Sequence, residues 1–115
     1  MNNEASKDVL DFCAQLVRLN GAMAELFNSG NIALIGEINA AVKELHRVQS
    51  GGHDPVLSAV AEECKIIYVN SDFIVEVLRT TENGEIDAGA EKALNKFLHN
   101  MDEAVVNIAG ALGLV

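Results

Sequence analysis

The sequence predicts an all-α protein, an antiparallel up-down-up-down four-helix bundle. Four segments repeat apolar residues at spacings of three and four, the signature of helices with one buried face. The breaks between them are short and rich in Gly, Asn, Asp and Ser, and short connections favour antiparallel neighbours. Half of the 115 residues are apolar but only 4% are aromatic, so the core must be built from Leu, Ile, Val, Ala and Met. A chain of this length fits one helical domain, 1–115.

The first helix is expected from about Lys7 to Asn28, with Ser6 as its N-cap. Asp8, Asp11, Gln15, Arg18, Ala22 and Glu25 make a mostly polar stripe. Val9, Leu10, Phe12, Cys13, Leu16, Val17, Leu19, Met23, Leu26 and Phe27 lie opposite, too broad a face for a coiled-coil seam. Asn28-Ser29-Gly30-Asn31 ends the helix. The second helix follows from about Ile32 to Gln49, with Ile35, Ile38, Val42, Leu45 and Gln49 on its inner stripe and Ile32 and Val48 beside it. Glu37, Lys43, Glu44 and Arg47 point to solvent. Ser50-Gly51-Gly52-His53 breaks this helix, and Asp54-Pro55 starts the next, with Asp as N-cap and Pro in the first turn.

The third segment carries two apolar stripes. Leu57, Val60, Cys64, Ile67, Ser71, Ile74 and Leu78 form one, and Ile66, Val69, Phe73 and Val77 form the other. This predicts a single long helix to about Thr81. The alternative is an α+β fold with a hairpin over 65–79, because Lys65–Val69 and Phe73–Arg79 are rich in β-branched residues and Asn70-Ser71-Asp72 resembles a turn. The helix is preferred because its spacing crosses that turn without slipping. Thr81–Glu85 reads as a loop, and Asp87 caps a fourth helix from about Ala88 to Leu112. Ala90, Leu94, Phe97, Met101, Ala104 and Ile108 are its inner stripe. Lys92, Asn95, Lys96, His99, Asp102 and Glu103 lie outside, and no charge follows Glu103.

Charge and composition exclude several functions. Eight Lys+Arg stand against seventeen Asp+Glu, a formal net charge of −9, and such a surface repels a phosphate backbone. No apolar run approaches the ~20 residues of a membrane span. The polar start MNNEASKD has no basic-then-apolar leader, and two cysteines are too few for a disulfide framework. The expected setting is therefore cytoplasmic and reducing. Cys13 and Cys64 are read as small apolar core residues. No metal or cofactor is expected. Glu44, His46, His53 and Asp54 lack tight ligand spacing, His99 with Asp102 and Glu103 sits on a polar side, and the adjacent Glu62 and Glu63 point to different sides of their helix. Gly51-Gly52 lacks the Lys-Ser/Thr of a phosphate loop.

What remains is an interaction protein rather than an enzyme. Two apolar stripes on the third helix and an uncharged end on the fourth exceed what one small bundle covers. The expectation is a homodimer, with Ile66, Val69, Phe73, Val77, Val105, Ile108 and Leu112 as self-association residues. Between Asp72 and Glu91 there are six acids (Asp72, Glu76, Glu82, Glu85, Asp87, Glu91) and one base, Arg79. These acids are candidates for binding a basic protein partner. Adaptors, export chaperones, immunity proteins and antitoxins all fit this physical description. An alternative rests on His46, borne by a helix at the edge of its apolar stripe, with Asn39 two turns earlier on the same face. In this it resembles histidine phosphotransfer domains, and the resemblance implies a phosphoryl-carrying imidazole. Gln49 and Ser50 stand where those domains usually have Lys and Gly. A boundary His near a helix C-terminus is the simpler account. A third reading is an apolar-ligand pocket between helices.

Overall fold

The computed structural model describes residues 7–51, 54–80 and 86–113. Every regular element among them is an α-helix: α1 (Lys7–Ser29), α2 (Leu34–Gly51), a single turn α3 (Pro55–Ala59), α4 (Ala61–Thr80) and α5 (Ala88–Ala111). The preferred helical reading of 65–79 holds, and the alternative hairpin is not formed. Asn70 and Ser71 lie inside α4, and both are buried there. Their periodicity outweighs the β-branched composition, because an unbroken helix brings Cys64, Ile67, Ser71 and Ile74 onto one inner face.

The ends of the helices follow the local chemistry. At the end of α1, Ser29 Oγ donates to the Glu25 carbonyl at 2.9 Å, and Gly30 turns the chain at φ +68°, a conformation that favours glycine. Asn31 then acts as a cap, its Oδ1 accepting from Ala33 N at 3.1 Å. Ile32 therefore sits in the turn, and α2 begins two residues later than the spacing suggests. Asp54 accepts from Val56 N at 2.9 Å ahead of Pro55, and Asp87 accepts from Ala90 N at 2.8 Å. Both of these expected caps are in place. Ser6 and the 81–85 loop lie outside the described residues.

The long third helix is interrupted at Val60. Its backbone N–H bonds back to Ser58 (φ −104°, ψ 11°), while its carbonyl accepts from Cys64 N at 3.0 Å and opens α4. The bend keeps the phase of the stripe, since Leu57, Val60, Cys64 and Ile67 are all buried.

Helix α1 packs closely along α2 and α4 along α5, while the two hairpins meet less extensively through α2–α4 and α1–α5. Neighbours are antiparallel. Asn39 reaches Ser71 while Gln49 reaches Tyr68, and Glu63 reaches Asn107 while Asn70 reaches Asn100. The core runs the length of this four-helix arrangement and is aliphatic, with Phe12 its one fully buried aromatic ring. On α1 the buried face is narrower than expected. Leu10, Val17 and Phe27 are exposed, whereas Ala22, assigned to the polar stripe, is buried. On α5, Leu98 and Val105 join Leu94, Met101, Ala104 and Ile108 inside, and Phe97 is only partly covered.

Candidate functional site

The most distinctive surface lies on α4. Its inner stripe is spent in the core, yet Ile66, Val69 and Phe73 remain 41%, 43% and 48% exposed. Their spacing of three and four places them in one row along the helix. The Phe73 ring packs on Phe97 of α5 at 5.2 Å between centroids, tilted by 38°. The row is thus continued across the α4–α5 seam by a second aromatic. Composition gave no signal for this pairing, because it depends on the α4–α5 register.

The other self-association candidates lie elsewhere. Val105 and Ile108 face this chain's own core and are fully covered, so they offer nothing to a second chain. One side of the uncharged end of α5 enters the core, while Val106 on the other side stays exposed. Val77 and Leu112 are half-buried and pack against the same core.

Beneath the apolar row runs a line of amides. Asn70 Nδ2 donates to the Ile66 carbonyl at 2.7 Å, and Asn100 Nδ2 donates to Asn70 Oδ1 at 3.1 Å. With Glu63, Glu103 and Asn107 they border a shallow groove of about 330 Å³. On the opposite side of α4, Ser71 Oγ donates to Asn39 Oδ1 at 3.4 Å, joining the two hairpins. These bonds satisfy Asn70 and Ser71 where burial would otherwise cost about 1–3 kcal/mol.

His46 is exposed and borders a small cleft of about 270 Å³ together with Asn39, Lys43, Tyr68, Ser71 and Asp72. Its ring meets Tyr68 edge-on at 4.7 Å, and its Nε2 lies 3.3 Å from Ser50 Oγ. The shared face of Asn39 and His46 is therefore real, and Tyr68 was missed as its third member. Burial is the main cause that pushes the Tyr68 hydroxyl well above its ordinary range, and it pushes the Cys64 thiol up to about 11. Cys13 is also raised by burial. Neither thiol has the lowered pKa of a nucleophile. His99 stacks on Phe27 at 5.2 Å, which ties α5 to the end of α1. Beside this contact Leu26, Ile32, Ile35, Ile86, Leu94 and Leu98 line an open cleft of about 560 Å³.

Of the six acidic candidates, Asp72, Glu76, Asp87 and Glu91 are exposed, and Glu82 and Glu85 lie outside the described residues, as does His53. Arg79 pairs with Glu76 at 3.5 Å. Among the described residues, no group of three or more His, Cys, Asp or Glu converges as a metal site, and no helix is long and apolar enough to cross a membrane. No protein-family model matches the chain, nor does any curated protein or solved structure.

Proposed function

We propose that this chain is a cytoplasmic, non-enzymatic interaction protein. It acts as a homodimer that buries the outer face of α4 and presents its acidic end to a basic protein partner. The row of Ile66, Val69 and Phe73, extended by Phe97, carries the reading. Fully burying a side chain of this size is worth about 1.5–3 kcal/mol. Contiguous residues can deliver that gain to a single partner, which scattered ones cannot. Beyond that face, Asp87 and Glu91 at the start of α5 are exposed acids, within a stretch from Asp72 to Glu91 that holds six acids and one base, Arg79. Such a field speeds encounter with a basic protein and repels nucleic acid.

Light scattering across a range of concentrations tests the self-association. The expected mass is twice 12.3 kDa. A chain that remains at 12.3 kDa at every concentration ends the homodimer reading. A second reading, phosphoryl transfer through His46, is favoured by the exposed imidazole beside Lys43 in the α2–α4 cleft. Incubation with acetyl phosphate followed by mass spectrometry checks it. It requires a phosphoryl mass increase that disappears in His46→Ala.

A further inference from the structure

The cleft of about 560 Å³ opens at the end of the bundle where α1 turns into α2 and α5 begins. Its volume falls within the range of small-molecule sites, about 300–1,000 Å³. Leu26, Ile35, Leu94 and Leu98 line it with side chains that are otherwise buried, and the exposed Phe27 and Ile32 extend this apolar lining outward. Phe27 is held by its stack on His99 of α5 at 5.2 Å. The α5 side of the cleft also carries polar groups. Glu91 and Asn95 stand one turn apart on that helix, and both line the cleft. Among the described residues that line it, Glu91 is the one charged group, and it makes no ion pair among the described residues. Lys92 and Lys96 follow Glu91 and Asn95 by one position, about 100° further round the helix, and neither lines the cleft. Asp87 is occupied as the cap of α5, accepting from Ala90 N at 2.8 Å. A carboxylate without a counter-ion therefore borders an apolar hollow.

We infer that this cleft binds a small amphipathic cation, an alkylammonium whose apolar body lies on the leucine and isoleucine side chains and whose N–H groups donate to Glu91 and to the Asn95 side-chain oxygen. The inference goes beyond the interaction reading. It uses Glu91, one of the acids offered there to a basic partner, but no residue of the α4 row, so it stands whether or not the chain dimerises. Both parts of the ligand are needed. An exposed ammonium–carboxylate pair contributes little by itself, so a head group without an apolar body is not held. An apolar body without the charge gains the burial but loses the charge-assisted hydrogen bond, which is about twice as strong as a neutral one. A carboxylate on the same body meets Glu91 as a like charge.

Three probes of one chain length test this: octylammonium, octanol and octanoate, each titrated while the backbone amide resonances are followed. The expected order is octylammonium about tenfold tighter than octanol, with octanoate weakest. The shifted amides should fall in 26–35 and 91–98. Glu91→Lys reverses the order, so that octanoate becomes the tightest of the three. Asp11→Lys makes the same change in net charge in the first half of α1, away from the cleft, and leaves the order as it was. Ile32→Ser, at an exposed position, weakens all three probes, whereas Phe73→Ser on the α4 row weakens none. Absence of binding, or equal binding of the three probes, overturns the inference. So does a preference that Asp11→Lys abolishes as fully as Glu91→Lys, since the field of the whole chain then accounts for it. Shifts centred on Phe73 and lost in Phe73→Ser overturn it too, because the probes then lie on the α4 row. Each of these outcomes leaves the solution mass, and with it the homodimer reading, to be decided separately.

Discussion

Helices α1 and α4 both leave large apolar side chains in water, but with different consequences. On α1, Leu10 and Val17 are 59% and 66% exposed, more than any residue of the α4 row. They stand two turns apart with exposed Ala14 between them on the same line, a row of the same spacing whose centre is a single methyl and which holds no aromatic ring. On α4 the three residues are consecutive on one line and extended by the Phe73–Phe97 ring pair. Exposure of single residues therefore says little about an interface. Three large side chains in succession and the Phe73–Phe97 aromatic pair distinguish the α4 face.

Core substitutions have the largest expected effect and should not separate the two helices. Leu19→Ala in α1 and Ile67→Ala in α4 each remove fully buried atoms, and each should cost about 2–5 kcal/mol in denaturant unfolding. A much smaller cost on one helix would show its inner face to be loosely packed and would undo the comparison. The outer faces should differ sharply. Phe73→Ser is expected to weaken the dimer about tenfold or more, because Phe73 is 48% exposed and the lost burial, about 0.7–1.5 kcal/mol per chain, counts twice. Val17→Ser should leave the mass unchanged and alter stability by no more than about 0.5 kcal/mol. Equal losses from the two would sink the distinction.

Two smaller effects sharpen it. Asn70→Ala removes the acceptor for Asn100 Nδ2 beneath the α4 row and should cost about 1 kcal/mol in unfolding. The other is a pH effect on the α1 side, where Arg18 donates to Glu37 of α2. That hydrogen bond holds the Glu37 carboxyl below its ordinary 4.5. A depressed folded-state pKa contributes stability above the unfolded value and loses it as pH falls through the folded one. The natural chain should thus exceed Glu37→Gln slightly at neutral pH, and the difference should fade as the pH falls below 4.5 and through the depressed folded-state value. Because both side chains are half-exposed, raising the salt concentration should shrink it further.

Much of this architecture is legible in the residues. Asp54-Pro55 and Asp87 mark helix starts because their carboxylates cap backbone donors two and three residues on. The stripe from Leu57 to Ile74 is legible because a 3.6-residue period leaves one solution for its buried face. The bend at Val60 is not, since neither Gly nor Pro marks it and the phase continues through it. The exposure of Leu10 and Val17 is equally hidden, because the width of a helix's covered face depends on how its neighbours cross it. Half of the candidate surface could be read as the second stripe on α4. The other half, Phe97 and the Asn70–Asn100 bond, needs the register between α4 and α5. The same register decides that Val105 and Ile108 turn inward.

The uneven packing of the four helices also shapes how the molecule comes apart. Close contact is concentrated within α1–α2 and within α4–α5, and the chain passes between these pairs once, through residues 51–55. The seam between the pairs is therefore the expected place for the shared core to open first. Amide exchange should record this as two tiers. Amides along the α2–α4 boundary exchange through a partial opening, while those along the inner seams of the hairpins wait for complete unfolding.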